Sequence, residues 1–133
     1  MKKIAYAAAA FLALSCQKQI TTLETQDLND FEFLEATVED LQNGYKNGSL
    51  SVAKVVQAYS NRIAAIDHSG PSLMSVIVVN PEAAAIADSL DLVAPENRGP
   101  LHGIPVLLKD NIDTHDQMAT TAGSRALAGS MPL

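Results

Sequence analysis

The sequence predicts an α/β fold in which helices cover a sheet. Segments whose apolar residues recur with the helical period alternate with short runs of β-branched or aliphatic residues, in the order helix, helix, strand, helix, strand. Only two strands are evident, and a two-stranded sheet is not stable on its own. Much of the apolar composition is alanine, which buries little area per residue. We therefore expect an incomplete fold, with the remaining strands of its sheet beyond residue 133.

The first residues have the composition of an export signal. Lys2 and Lys3 precede an apolar stretch, and no further charged residue follows until Lys18. This stretch is too short to span a membrane and is typical of a signal peptide. We therefore predict a signal peptide at residues 1–15 and an exported protein of the cell envelope.

The chain has one cysteine, Cys16, which directly follows Ala13-Leu14-Ser15. Small residues before a cysteine resemble a bacterial lipobox, in which the cysteine receives a lipid, although Ala13 replaces the usual aliphatic residue. The sequence therefore predicts a lipoprotein that Cys16 anchors in a membrane, and two acyl chains make such attachment lasting. The alternative is an ordinary secretory signal with an incidental cysteine, and a periplasmic or secreted protein.

Residues 16–36 are polar and acidic, without a clear period. They are predicted to form the lipid anchor and an acidic tether. The alternative is a frayed first helix around Phe31, Phe33 and Leu34. In either case the domain itself is predicted at residues 37–133.

Two helices are predicted at the start of this domain. Thr37 is a good N-cap residue, with Asp40 three positions later in a capping-box pattern, and Gly48 is a typical helix stop. Ser51 opens a second helix, whose apolar residues keep the helical period as far as a breaker cluster at residues 68–71.

Two strands and a third helix follow. Residues 73–79 contain the β-branched run Val-Ile-Val-Val, which is typical of a buried strand. Asn80-Pro81 predicts a helix start, and the alanine-rich residues 82–92 predict the helix. After an irregular segment rich in glycine and proline, Val106-Leu107-Leu108 predicts a short second strand.

The second predicted strand ends in Lys109-Asp110-Asn111. A lysine at the end of a buried strand loses hydration, which favours the neutral amine, and a neutral amine can act as a general base. The alternative is a structural lysine that reaches solvent or pairs with Asp110 or Asp113. From the spacing alone, the structural alternative is favoured, because most lysines at strand ends are structural.

A longer motif surrounds this lysine. Residues 98–114, RGPLHGIPVLLKDNIDT, resemble the core motif of the amidase-signature family, and residues 118–124, MATTAGS, continue the resemblance, which spans residues 36–130 in all. The resemblance implies an α/β/α sandwich with a mixed sheet. It also implies a Ser–cis-Ser–Lys triad that cleaves the carboxamide (C–N) bond of a small linear amide without a cofactor.

Within that triad, the resemblance makes Lys109 the base, which deprotonates a bridging serine that in turn relays the proton of the nucleophilic serine. Asp110 and Asn111 also match the motif, and we expect them to hold the lysine and the adjacent backbone in place.

The sequence departs from the family pattern at the serines. The family's nucleophile and bridging serine lie in a Gly-Gly-Ser-rich segment well downstream of the lysine, whereas only Ser124 and Ser130 follow Lys109 here, and neither lies in such a segment. Ser124 belongs to a small-residue loop before a short predicted helix at 124–128. We therefore expect both catalytic serines beyond Leu133, and no activity from this chain alone.

Other classes of function are excluded or less well supported. The net charge of −6, with scattered basic residues, argues against a nucleic-acid partner. His102 lies in the LHGIP turn without a second ligand nearby, so it is predicted to be structural, and no metal site is predicted. Met118 is predicted to be a packed loop residue. Two alternatives stay open: a transamidase subunit, which an export signal disfavours, and a lipoprotein binding module, which leaves the KDN element unexplained.

Overall fold

A computed structural model of the protein describes residues 30–132. The predicted signal peptide at residues 1–15, the predicted lipid site at Cys16 and most of the predicted tether lie outside the described residues. The unit considered below begins at Phe33.

The first helix, α1, spans Val38–Asn47. The Thr37 hydroxyl accepts a hydrogen bond from the backbone N–H of Asp40 at 3.1 Å, and the Asp40 carboxylate accepts one from the backbone N–H of Thr37 at 2.9 Å. These reciprocal bonds satisfy two donors that a helix start otherwise leaves unpaired. The helix ends at Gly48, whose φ of 75° lies in the left-handed region. The predicted capping box and helix stop are therefore confirmed.

The second helix, α2, spans Val52–Arg62, and a π-helical turn at Ile63–Asp67 continues it to the predicted breaker cluster. Ser51 caps α2 as predicted, because its hydroxyl accepts a hydrogen bond from the backbone N–H of Lys54 at 3.1 Å.

The third helix, α3, spans Ala83–Asp91 and packs against α2. It begins slightly later than predicted, because the Asn80 side chain accepts from the backbone N–H of Glu82 at 2.8 Å and forms a turn before the helix. At the other end, the Asp91 carboxylate accepts from the first two N–H groups of α2, those of Val52 at 2.7 Å and Ala53 at 3.0 Å. A carboxylate at a helix N-terminus is favourable, so this contact ties the two helices together.

The core is small and is formed chiefly by the three helices. One buried side chain, Phe33, precedes α1 and stacks on Tyr59 of α2, with ring centroids 6.0 Å apart. Phe33 falls within the range predicted as tether, and its carbonyl accepts from the backbone N–H of Ala36 at 3.2 Å in a turn. The other buried apolar side chains are Leu41, Tyr45, Val52, Val55 and Ala87.

No β-strand is present among residues 30–132. Both segments predicted as strands are exposed, with Ile77 at 76% and Leu107 at 79% of full exposure. A strand exists only where its backbone groups pair with those of a neighbouring strand, and the described residues include no such partner for either segment. The predicted mixed sheet therefore stays a prediction.

Asp67 fixes the start of the first of these segments. Its carboxylate, in a side chain that is 4% exposed, accepts from the backbone N–H groups of Ser75 at 2.7 Å and Val76 at 3.0 Å, and also from the Ser75 hydroxyl. The Ser75 hydroxyl bond, more than the others, holds the pKa of Asp67 below its usual value. These bonds attach the first half of the 73–79 segment to the end of the π-helical turn that continues α2.

The remaining residues form short turns. A 3-10 turn at Pro95–Asn97 interrupts the irregular approach to the motif, and a second one at Arg125–Leu127 replaces the predicted helix at 124–128. Within residues 30–132, none of the helices has the length and apolar character needed to cross a membrane.

Candidate active site

The LHGIP turn is fastened to two of the helices, α1 and α3. The Tyr45 hydroxyl of α1 donates to the carbonyl of Gly103 at 2.8 Å, and the Gln42 side-chain amide donates to the carbonyl of His102 at 2.8 Å. The His102 ring nitrogen Nε2 lies 3.1 Å from the carbonyl oxygen of Leu90 in α3. Because a carbonyl oxygen only accepts, Nε2 is the protonated nitrogen, and the ring acts as a structural donor. This geometry supports the predicted structural role of His102.

Gly103 lets the turn approach the helices closely. Its φ is +72°, in the left-handed region, and a Cβ added there would lie 2.5 Å from Val52 Cγ2 of α2 and 3.1 Å from Tyr45 Cε2. Only glycine fits both the backbone conformation and the space. The close contact fixes where the following segment begins, and that segment leads directly to Lys109.

Lys109 lies on an open groove of about 1050 Å³. We call this the central groove, and its lining includes residues 75–80, 101–110 and 118–120 together with apolar side chains of α1, α2 and α3. Among the described residues that line it, Lys109 and Asp110 are the ones with full charges. The rest of the lining is mostly apolar.

The predicted loss of hydration at Lys109 is not seen. Lys109 is exposed, and so are Val106, Leu107 and Leu108 before it. Residues 106–109 are exposed because no neighbouring strand within residues 30–132 covers them. The role of Lys109 as a base stays a prediction.

Asp110 directs its side chain to a loop further along the chain. We call residues 120–124 the TTAGS loop. The Asp110 carboxylate accepts from the backbone N–H of Thr121 at 3.1 Å, from the Thr121 hydroxyl at 2.5 Å and from the backbone N–H of Gly123 at 3.4 Å. Its backbone carbonyl accepts from the N–H of Ala122 at 2.9 Å. The hydroxyl bond from Thr121 is the main cause that keeps the pKa of Asp110 below its usual value.

The backbone around Lys109 forms a turn. The Lys109 carbonyl accepts from the N–H of Ile112 at 2.9 Å, which closes the turn over Asp110 and Asn111. Asn111 is exposed, so its expected part in holding the lysine stays a prediction, as does that of Asp110. Ser124 closes the TTAGS loop, donating its backbone N–H to the Thr121 carbonyl at 2.8 Å.

Met118 is half-buried and lines the central groove, next to a second carboxylate turn. Asp116 accepts from the Thr114 hydroxyl at 2.9 Å and from the Met118 backbone N–H at 2.7 Å. No group of three or more His, Cys, Asp or Glu residues within the described range is placed to hold a metal ion.

The sequence did not indicate the residues that hold the site together, namely Gln42, Tyr45, Asp91 and Thr121. Tyr45 and Gln42 lie three positions apart on α1, so their shared face was visible in the sequence, but their partners lie 58 and 60 residues away. Thr121 was visible as a polar residue in a loop of small residues. No local pattern connected it to Asp110.

Several known proteins resemble this chain over about three quarters of its length. The family model for amidases matches residues 54–132. A protein of Arabidopsis thaliana that is named as a probable amidase is 43% identical over 105 residues, which are 76% of this chain and 20% of that protein. A glutamyl-tRNA(Gln) amidotransferase subunit from Lysinibacillus sphaericus is 38% identical over 100 residues, which are 74% of this chain and 20% of that protein.

Among solved structures, the native peptide amidase of Stenotrophomonas maltophilia superposes with a TM-score of 0.72 at 48% identity. The match covers 77% of this chain and 21% of the peptide amidase. The chain therefore spans about a fifth of the length of the proteins that it matches.

Proposed function

Because this chain belongs to the amidase-signature family, we propose that it supplies the lysine base of an enzyme that hydrolyses a carboxamide bond. The observation that supports the proposal most directly is the position of Lys109. It lies in the region that the amidase model matches, follows the LHGIP turn that α1 and α3 hold, and lines an apolar groove.

The proposed reaction is an acyl transfer in two stages. Lys109, as the neutral amine, takes a proton from a bridging serine, which takes one from the nucleophilic serine. The nucleophile attacks the amide carbonyl, the C–N bond breaks, and ammonia or an amine leaves with the proton. Water then attacks the acyl-enzyme and releases the acid.

We propose that the two serines come from outside these 133 residues. Ser124 and Ser130 are the serines that follow Lys109 in this sequence. Neither residue lies in a Gly/Ser-rich segment. A base that has no hydroxyl to deprotonate cannot start the reaction, so we expect residues 1–133 alone to be inactive.

The side chain of Lys109 is exposed to solvent among residues 30–132, whereas the proposed base acts as a neutral amine. Loss of hydration favours the neutral amine of a lysine, which is the form that can accept a proton. The segments 76–79 and 104–108 present exposed apolar side chains on the groove beside Lys109. We propose that covering these segments in the complete enzyme removes water from Lys109 and makes it a competent base.

The test compares lysine variants of the complete enzyme by the release of ammonia or amine from a panel of simple amides. Lys109→Ala should lower kcat by at least about 10⁴-fold, because members of a triad act as a unit. Lys109→Arg should not restore activity, since a guanidinium cannot give up its proton near neutral pH. The matched control is Lys46→Ala, which removes an exposed lysine from the last turn of α1, away from the groove. An unchanged kcat in Lys109→Ala would overturn the assignment of the base. Amide turnover by residues 1–133 alone at the rate of the complete enzyme would overturn the proposal about the serines.

A second candidate function is that of a transamidase subunit, which generates ammonia for transfer. It is favoured by the similarity to the amidotransferase subunit from Lysinibacillus sphaericus, whereas the predicted export signal disfavours it. Ammonia release from glutamine, faster than from peptide amides and dependent on an added acceptor, would favour the transamidase. Release from peptide amides without an acceptor would favour the hydrolase.

A further inference from the structure

We propose that Asp110 is a positioning residue, whose carboxylate holds the TTAGS loop against the backbone that carries Lys109. This inference rests on the proposed function, since the group to be positioned is the proposed base. It assigns the TTAGS loop to Asp110 as its partner. The position of Asp110 next to Lys109 in the sequence does not indicate this partner.

The first argument is the convergence of donors on one residue. Three consecutive loop residues, Thr121, Ala122 and Gly123, give four hydrogen bonds to Asp110, three to its carboxylate and one to its backbone carbonyl. The Thr121 hydroxyl also accepts from the backbone N–H of Gly123 at 3.2 Å, so it bridges the loop and the carboxylate. An ionised carboxylate only accepts, and here both of its oxygens are used by the loop.

The second argument is the backbone conformation of the loop. Ala122 and Gly123 both have positive φ, 49° and 71°. A non-glycine residue rarely adopts this region, and such a conformation persists only where its surroundings hold it. Successive N–H groups in this kind of turn point to one side and form a concave anion site. In this loop the anion is the carboxylate of Asp110.

The third argument is the continuity between the loop and the lysine. Asp110 is the next residue after Lys109, and both line the central groove together with Thr120. The turn from the Lys109 carbonyl to the Ile112 N–H holds the two residues in one backbone unit. A loop bonded to both the side chain and the carbonyl of Asp110 therefore limits the movement of the Lys109 backbone.

A direct electrostatic role is the competing explanation, in which Asp110 acts on the lysine through its charge. The hydrogen bonds favour the loop, because both carboxylate oxygens bond to Thr121 and one of them also to Gly123. The two explanations make different predictions for Thr121, which contacts Asp110 through its hydroxyl. Positioning through the loop predicts that loss of this hydroxyl loosens residues 121–123 and slows turnover together.

The experiment uses the complete enzyme and four single variants. Asp110→Ala removes the anchor, Thr121→Val removes the hydroxyl at nearly constant shape, and Thr121→Ser keeps it. Asp88→Asn is the matched control, because Asp88 is an exposed carboxylate of α3 that does not line the central groove. Amide hydrogen exchange is measured at residues 121–123. Turnover is measured as kcat and KM, with kcat calculated per folded molecule from the folded fraction given by circular dichroism.

Asp110→Ala and Thr121→Val should both speed exchange at residues 121–123 and lower kcat, by up to about 100-fold for Asp110→Ala, with little change in KM. Thr121→Ser, which keeps the hydroxyl, should leave both the exchange rate and kcat near those of the unaltered enzyme, and Asp88→Asn should change neither. The double variant Asp110→Ala/Thr121→Val should be no slower than Asp110→Ala alone, because both changes break one connection.

Unchanged exchange in Thr121→Val overturns the inference, even if Asp110→Ala fails to fold. A double variant whose kcat losses multiply overturns it as well, because Asp110 then acts independently of the loop. If the complete enzyme hydrolyses no amide, the proposed function has failed, and the exchange measurement still decides whether Asp110 anchors the loop.

Discussion

Replacing Gly103 by alanine should destabilise the protein strongly, because the position combines an unfavourable backbone conformation with a lack of space. The φ of Gly103 is +72°, and the added Cβ would lie 2.5 Å from Val52 Cγ2 and 3.1 Å from Tyr45 Cε2. Neither side chain can move away easily, since Val52 is 2% and Tyr45 is 7% exposed. The backbone of the LHGIP turn must therefore shift.

The magnitude follows from two separate contributions. A left-handed backbone costs an L-residue other than glycine about 1–2 kcal/mol. An extra methyl group in a packed site costs about 1–3 kcal/mol through displaced side chains and backbone. Together they predict a loss of roughly 2–5 kcal/mol in the free energy of unfolding, a large share of the ~5–15 kcal/mol that stabilises a typical protein.

Two other glycines separate these contributions. Gly48 has a similar φ of +75° but no neighbour within 4 Å of an added Cβ, so Gly48→Ala measures the backbone contribution alone. Gly99 has neither a positive φ nor such a neighbour, so Gly99→Ala should be nearly neutral. The assay is urea denaturation of each variant of the full-length protein, followed by circular dichroism, with the midpoint and slope compared.

The expected order of destabilisation is Gly103→Ala, then Gly48→Ala, then Gly99→Ala. Equal losses in Gly103→Ala and Gly48→Ala would refute the reasoning, because the contacts with Val52 and Tyr45 would then cost nothing. If Gly103→Ala also lowers kcat per folded molecule, the turn contributes to the placement of Lys109 as well as to stability.

Two further predictions concern Tyr45 and Cys16. Tyr45→Phe should cost about 1–3 kcal/mol in urea denaturation, because it leaves the Gly103 carbonyl without its donor, and an undiminished midpoint would contradict the bond. Burial, and secondarily the Asp91 charge, raises the pKa of Tyr45 from 10.0 to about 12. The contribution of the Tyr45 hydroxyl to the free energy of unfolding is therefore complete below pH 10 and is lost as the pH rises towards 12. The phenylalanine variant should not show this loss of stability between pH 10 and 12. Cys16→Ser should abolish labelling by a fatty-acid analogue and move the protein to the soluble fraction, whereas unchanged membrane retention would rule out the lipid anchor.

Local signals in the sequence predicted local structure well. The capping box of Thr37 and Asp40, the stop at Gly48 and the cap at Ser51 depend on bonds between residues at most three positions apart. Such bonds form in the same way wherever the segment lies in the fold, so the residue types suffice to predict them. The motif around Lys109 likewise identified the family, which the amidase model and the similar proteins confirm.

The two segments predicted as strands show the limit of prediction from local sequence. Residues 73–79 and 106–108 have the composition of strands, but a strand needs backbone partners from another segment. Residues 30–132 contain none, so the composition indicates a tendency that the described structure does not realise. The start of the third helix was misplaced for a smaller reason: Asn80 uses its side chain to cap a turn at Glu82 before the helix begins.

The sequence by itself determined both ends of α1, the start of α2, the family, and Lys109 as the proposed base. Only the tertiary structure decided which groups meet around that lysine. The Asp110 carboxylate accepts hydrogen bonds from Thr121 and Gly123, eleven and thirteen residues away, and its expected part in holding Lys109 stays a prediction. A carboxylate can accept from any donor that the fold brings within reach, so the residue types alone do not indicate which distant segment supplies the donors.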